Sequence, residues 1–207
     1  MTGRRSLFLV VVAGFAASAC SNPFATKATV ATIEDTVAVF AFTGAPPSGP
    51  TALNIFTPAP VIAMPTANLN LTYDIVFDIR NDTAYAMPPH AIGAINETLL
   101  QTTTQPYVSI TQAPSSGWSN DSLPVPIFPP SGPGTEGTVV LAKAEAYACR
   151  DQQLEDRRFL YAKLVIDSVH YTPYDPITNP TGRTIYFRTR VDPNCGFLSF
   201  KDGIPSN

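Results

Sequence analysis

Charged side chains are scarce in this chain, and neither sign is in large excess. Asp, Glu, Lys and Arg make up 14% of the sequence, against about 25% in a typical soluble domain. Thirteen basic and 16 acidic residues give a formal net charge of −3. A nucleic-acid-binding protein needs a basic patch or stripe, so the charge balance predicts no nucleic-acid partner.

Long helices are also disfavoured, because the chain contains 21 prolines and proline interrupts a helix interior. Val, Ile, Thr, Tyr and Phe are prominent, and these residues favour strands. Short apolar segments alternate with proline-rich turns. We therefore expect an all-β fold: a single antiparallel β-sandwich, immunoglobulin-like or transthyretin-like, with little helix, over residues 29–207.

Motifs for catalysis and metal binding are missing from the sequence. It has no G-x-S-x-G, P-loop or dinucleotide fingerprint. The two histidines, His90 and His170, have no clustered second ligand, and Asp74 and Asp78 fit the solvated face of an ordinary strand. The sequence thus predicts no enzyme, no catalytic residues, no metal and no cofactor. A metal-dependent hydrolase using these four residues is the least favoured alternative.

The N-terminal stretch has the pattern of an export signal. Residues 7–20 read LFLVVVAGFAASAC, and Arg4 and Arg5 precede them. A transmembrane helix needs about 20 apolar residues, and the apolar run at residues 7–15 is shorter. A basic start, a short apolar run and small residues together are typical of a secretory signal peptide.

Residues 17–20, Ala-Ser-Ala-Cys, resemble the lipobox of bacterial lipoproteins. The resemblance implies that Cys20 is lipidated, with diacylglycerol and an additional acyl chain such as palmitate, and becomes the mature N-terminus. It implies a lipid-anchored protein of the bacterial cell envelope, and Ser21, rather than Asp, favours the outer membrane. Residues 1–19 are then the signal peptide, and residues 20–28 are the lipidated N-terminus and tether.

The three cysteines bear on this assignment. Ala17 and Ala19 also satisfy the A-x-A rule for an ordinary secretory signal, and Cys20 would then be an unpaired thiol in an exported protein. Lipidation of Cys20 leaves one pair, Cys149 and Cys195. Exported proteins are exposed to oxidising conditions, so we predict a Cys149–Cys195 disulfide.

Periodicity predicts the main strands. Residues 69–80 show the clearest period-two alternation, and residues 158–171 and 183–191 form a long hairpin. Residues 142–156 fit either a strand continuation or a helix, and the strand is preferred. Residues 112–137 are the longest stretch without regular structure, and a loop of this length is usually functional or mobile.

Two further strands are expected. Residues 29–42 are the first strand region, interrupted by a bulge or bend at Glu34 and Asp35. Residues 37–42 are apolar on both faces, which predicts a strand that is buried on both sides or central. Residues 107–111 follow Pro106 and have strand-forming composition.

The long hairpin also brings specific residues together. Lys163 and Asp167 should lie near Arg188 and Arg190 across the two strands, as solvated charge pairs. Folding the hairpin places the residues just before its first strand close to Cys195, where Cys149 can reach it.

Trp118 and Tyr107 are the candidate contact residues. Trp118 lies in the polar segment SSGWSND, and an exposed aromatic side chain on a loop can stack on a sugar or a partner surface. The leading hypothesis is a lipid-anchored binding or structural module whose partner is an envelope protein or glycan. The alternative is a carbohydrate-binding or adhesive module, which requires Trp118 and Tyr107 to be exposed on one surface.

Overall fold

A computed structural model gives the structure of the domain. It describes residues 28–55, 59–61, 63, 73–81, 83–94, 97–126, 137–146, 149, 158–180 and 182–205. The predicted signal peptide, the lipidation at Cys20 and the tether up to residue 27 lie outside the described residues.

Alternating apolar side chains build ten strands in the described part of the chain. These strands are β1 (Ile33–Phe40), β2 (Ala52–Asn54), β3 (Ala59–Val61), β4 (Ile75–Arg80), β5 (Thr83–Met87), β6 (Thr98–Thr103), β7 (Leu123–Pro126), β8 (Val139–Glu145), β9 (Phe159–His170) and β10 (Thr184–Asp192).

The strands form two five-stranded antiparallel sheets. The first has the order β1-β10-β9-β8-β6, and the second has the order β3-β2-β4-β5-β7. Buried apolar side chains from both sheets form one continuous core between them. Phe77 of β4 and Phe187 of β10 meet across it with ring centroids 4.9 Å apart. The predicted all-β sandwich is therefore confirmed.

The long hairpin forms as predicted. Strands β9 and β10 pair over nearly their whole length, with one bulge between Tyr186 and Phe187. Leu164 and Ile185 face the core between the sheets. The preferred strand at the start of residues 142–156 is also confirmed as far as Glu145, where β8 ends.

Strand β1 differs from its prediction. It lies at an edge of the first sheet rather than in its centre. Glu34 and Asp35 do not bend the chain, since they pair in register with Arg190 and Thr189 of β10. Only the second half of β1 is buried on its inner face, at Val37 and Val39. Its first half can therefore be exposed, which an edge position allows.

The predicted strand at residues 107–111 is a 3₁₀ turn at Tyr107–Ser109 instead. The Ser109 N–H and hydroxyl both donate to the Pro106 carbonyl, at 2.9 and 2.8 Å, and these bonds close the turn. The stretch at 112–137 also contains a regular element, the strand β7.

Both sheets have a second apolar layer on their outer faces. Side chains from residues 107–118 and from the C-terminal segment cover β8 and β9. A smaller cluster covers the outer face of β2 and β4. No helix among the described residues is long and apolar enough to span a membrane.

Candidate functional site

The predicted disulfide lies at the end of the sandwich where β9 begins. Cys149 and Cys195 are bonded, with Cα atoms 5.6 Å apart, and they close a separation of 46 residues. Cys149 is buried against Ala146 and Leu160. The Gly196 N–H donates to the Phe159 carbonyl at 2.9 Å, which holds Cys195 beside the first residue of β9, as the hairpin predicts.

Asn194, next to Cys195, fastens the first described residues to this end. Its Oδ1 accepts the N–H groups of Thr29 and Val30 at 2.9 and 3.1 Å, and its Nδ2 donates to the Val30 carbonyl at 2.7 Å. The Asn194 amide thus both accepts from and donates to the backbone of Thr29 and Val30, as the main chain of a neighbouring strand would. The chain therefore joins the sandwich at Thr29 and Val30.

Asp192 supports Asn194 from within the core. The Asp192 Oδ1 accepts the Asn194 N–H at 2.9 Å and Nδ2 at 2.7 Å. The carboxyl group is fully buried, and its Oδ2 has no hydrogen-bond partner within the described residues. Burial raises the pKa of Asp192, and the two bonds from Asn194 oppose this rise only in part.

The C-terminal segment lies beside the same residues. The Thr32 N–H donates to the Gly203 carbonyl at 3.1 Å, and its hydroxyl donates to the Lys201 carbonyl at 2.9 Å. The beginning of the sandwich, its C-terminal segment and the disulfide therefore lie together at one end.

Lys163 is the main charged residue that the structure places differently from its prediction. It lies opposite Arg190 in the hairpin, but it is 2% exposed rather than solvated. Its Nζ donates to the carbonyls of Tyr107 and Ile110 at 2.6 and 2.9 Å, and lies 4.2 Å from the Tyr107 ring centroid. The covering segment buries the lysine and supplies its acceptors.

The other charges of the hairpin form ion pairs. The Arg188 Nε lies 2.9 Å from Asp167, a partly exposed pair that confirms the prediction for these two residues. Arg190 pairs with Glu34 and Asp202. It also donates to the Phe200 carbonyl at 3.0 Å.

A cleft of about 470 Å³ lies over these groups, and Glu34, Val108, Lys163, Arg190 and Phe200 contribute to its walls. Lys163 and Arg190, its two inner cations, are both directed at acceptors of the domain itself. These bonds hold the covering segment and the C-terminal segment against the sheet, so the two cations have structural roles.

The two candidate contact aromatics do not form an exposed platform. Tyr107 is 2% exposed, so the expectation that it lies on the surface is wrong. Its side chain belongs to the apolar layer over β8 and β9. Trp118 is half-buried against the same layer, with its ring centroid 6.0 Å from that of Tyr161.

Asp74 and Asp78 are buried, so the prediction that they lie on a solvated face is wrong. Asp78 accepts the N–H and hydroxyl of Thr43 at 2.9 and 3.0 Å and the Arg80 Nε at 2.9 Å. Asp74 accepts the Ile55 N–H at 2.7 Å. Both carboxyl groups bond chain segments that neighbour β4, as Lys163 does on the other sheet.

The histidines lie apart from these residues. His90 is exposed in a 3₁₀ turn, Pro89–Ile92. His170 is exposed at the end of β9, with its Nδ1 2.8 Å from the Gly182 carbonyl. In the part of the chain that the structure describes, no three His, Cys, Asp or Glu side chains are grouped as they would be to hold a metal ion.

The fold and this end of the sandwich define an all-β domain with a disulfide-supported N-terminal junction. No protein-family model matches the chain, and no curated protein sequence matches it. Sequence reasoning missed Lys163 and Asn194 as structural residues. Lys163 did leave a signal, because it interrupts the otherwise apolar run FLYAKLVI at the start of β9.

Proposed function

We propose that this protein is a lipid-anchored domain of the bacterial cell envelope that acts as a binding or structural module. The observation that carries the proposal is the sequence Ala-Ser-Ala-Cys at residues 17–20, directly after a short apolar run. Acyl chains on Cys20 would hold the domain on a membrane, because several chains give stable anchoring. Ser21 favours the outer membrane as the site.

The junction at Asn194 supports this arrangement. Thr29 and Val30 are bonded to Asn194, so the sandwich begins nine residues after Cys20. Acylation of Cys20 would therefore modify none of the described core residues.

The buried charges have structural roles within the domain. Lys163, Asp78 and Asp192 each bond the backbone or a neighbouring side chain of the domain. Such charges stabilise the shape of a surface, and a binding or structural role depends on that shape.

The test is Cys20→Ser in the full chain, expressed in a bacterium with lipoprotein processing. We expect the wild-type protein to sediment with membranes and to carry a modified mature N-terminus by mass spectrometry. The variant should be unmodified, either released or retained as a precursor that keeps residues 1–19. The N-terminal mass distinguishes these two forms, which fractionation alone does not.

The matched control is the double substitution Cys149→Ser and Cys195→Ser, which removes the other two cysteines and should leave the N-terminal modification intact. An unmodified Cys20 thiol in the wild-type protein would overturn the lipoprotein assignment.

A further inference from the structure

Exposed apolar side chains are concentrated where the sandwich begins. Six large hydrophobic residues among those described are exposed. Four of them surround the junction of the chain with the sandwich, and we call these the tether-side surface: Val30, Ile33, Val108 and Ile204, at 47, 38, 72 and 59% exposure.

Bonds of neighbouring residues place these four residues at the same end of the sandwich. Asn194 holds Val30, and Thr32 bonds Gly203, so residues 33 and 204 lie next to bonded neighbours. Val108 lines the same cleft as Glu34, which follows Ile33, and Asp202, which lies two positions before Ile204. Because successive side chains of a strand point to opposite faces, Ile33 lies on the other face of β1 from Glu34. The tether-side surface is therefore this end of the sandwich, where three separate chain segments expose apolar side chains on both faces of β1.

The chain before the sandwich limits how far this patch can lie from a lipid anchor. Ala28 lies eight positions after Cys20. At about 3.5 Å per position this stretch spans at most about 28 Å when fully extended. Strand β9 alone has 12 residues, or about 40 Å at 3.3 Å each. The tether-side end must therefore stay close to an anchoring bilayer, and Ile177, in the turn after β9, can lie far from it.

We propose that the tether-side surface rests on the bilayer that holds Cys20 and so fixes the orientation of the sandwich; this rests on the proposed function. The occupant is a lipid surface because the anchor brings one within reach of this end. Once Cys20 is anchored, the second contact is intramolecular, and a high effective concentration makes a small patch sufficient.

The nearby charges suit a shallow contact. Glu34 and Asp202 are paired with Arg190, which lowers the cost of bringing them to headgroups. Lys201, which directly precedes Asp202, is exposed. This end of the sandwich therefore fits the headgroup region of a zwitterionic bilayer, with the four apolar residues nearest to the acyl boundary.

The test places an indole at each end of the sandwich in the acylated full chain. Ile204→Trp lies in the tether-side surface, and Ile177→Trp is the matched control at the opposite end, with 89% exposure for Ile177. Trp118 is common to both variants and the wild type, so its emission subtracts out. Each protein is reconstituted in phosphatidylcholine vesicles, with and without bromine on the acyl chains, and flotation measures anchoring.

For Ile204→Trp we expect the added emission to shift to the blue and to lose most of its intensity in brominated vesicles. The added emission of Ile177→Trp should be unchanged. Adding Ile33→Glu to Ile204→Trp should abolish the quenching without changing flotation, because a carboxylate is costly at the acyl boundary. Without an acyl group on Cys20, Ile204→Trp should show no quenching.

The outcomes separate the two proposals. If the acylated protein floats but the indole at residue 204 is quenched no more than that at residue 177, the anchor is real and the orientation proposal is wrong. If Cys20 carries no lipid and the protein does not float, both proposals fail. Equal quenching of both indoles is one form of this negative result, and it indicates a domain with no fixed orientation on the surface.

Discussion

The ammonium group of Lys163 lies 2.6 Å from the carbonyl oxygen of Tyr107, which precedes it by 56 positions in the sequence. This bond joins the outer face of β9 to the segment that covers it. A second bond to Ile110, at 2.9 Å, closes the contact. A charge that would ordinarily be solvated is thus used to fasten a covering segment to a sheet.

Lys163→Met should therefore destabilise the domain. The substitution removes a buried charge, but it leaves the carbonyls of Tyr107 and Ile110 without this donor. Since an unsatisfied buried group costs about 1–3 kcal/mol, we expect a net loss of about 2 kcal/mol, measured by urea unfolding. Lys201→Met, at an exposed position, is the control and should change stability by less than about 0.5 kcal/mol. Equal stability of the two variants would contradict the role assigned to Lys163.

Reduction of the Cys149–Cys195 bond should lower the free energy of unfolding. The bond closes a separation of 46 residues, for which the chain-entropy relation gives about 4 kcal/mol. The measurement is the urea midpoint with and without dithiothreitol. The double variant Cys149→Ser and Cys195→Ser is the control, because its midpoint should be low and insensitive to the reductant. Labelling of either cysteine in the folded, unreduced protein would show that the bond is absent.

The stability of the domain should depend on pH through Asp192. Its pKa is raised by burial, so the folded state holds the proton more tightly than the unfolded state. The associated stability is fully present below the ordinary pKa of Asp, 3.8, and is lost as the pH rises through the raised value.

Asp192→Asn keeps the oxygen that accepts from Asn194 but removes the titration. The melting temperature of this variant relative to wild type should increase as the pH is raised from acid to neutral. Asp121→Asn, at an exposed position, controls for the loss of a carboxylate. A difference that is constant with pH would mean that Asp192 does not titrate differently on folding.

Asp78→Asn should be costly, because three donors from Thr43 and Arg80 converge on this buried carboxylate. An amide presents one acceptor and directs its own N–H groups at these donors. Bonds to charged groups contribute about 1.5–3 kcal/mol, so we expect a loss of about 2 kcal/mol in urea unfolding.

Asp167→Asn, in the partly exposed pair with Arg188, is the matched control for Asp78 and should cost less than about 1 kcal/mol. If both substitutions proved equally mild, the carboxylate of Asp78 would be solvated rather than buried.

The sequence alone was sufficient for the long hairpin and for the disulfide. Period-two alternation reports which residues share a face, so the β9–β10 hairpin and its inner residues followed from local pattern. Cys149 and Cys195 followed from the hairpin register and from the count of cysteines, which leaves one pair if Cys20 is lipidated. Both arguments use residues that are near in sequence or paired by a turn.

Only the tertiary structure decided which faces of the strands are exposed to solvent. Alternation distinguishes the two faces of a strand, but it does not say what lies over the outer one. Lys163 and Asp78 are buried because distant segments, at residues 107–113 and at Thr43, pack across the outer face or the edge of a sheet. The place of β1 at a sheet edge depends likewise on pairing with β10, which is more than 140 residues away in sequence. Contacts at such separations are set by how the whole chain packs, and no local pattern encodes them.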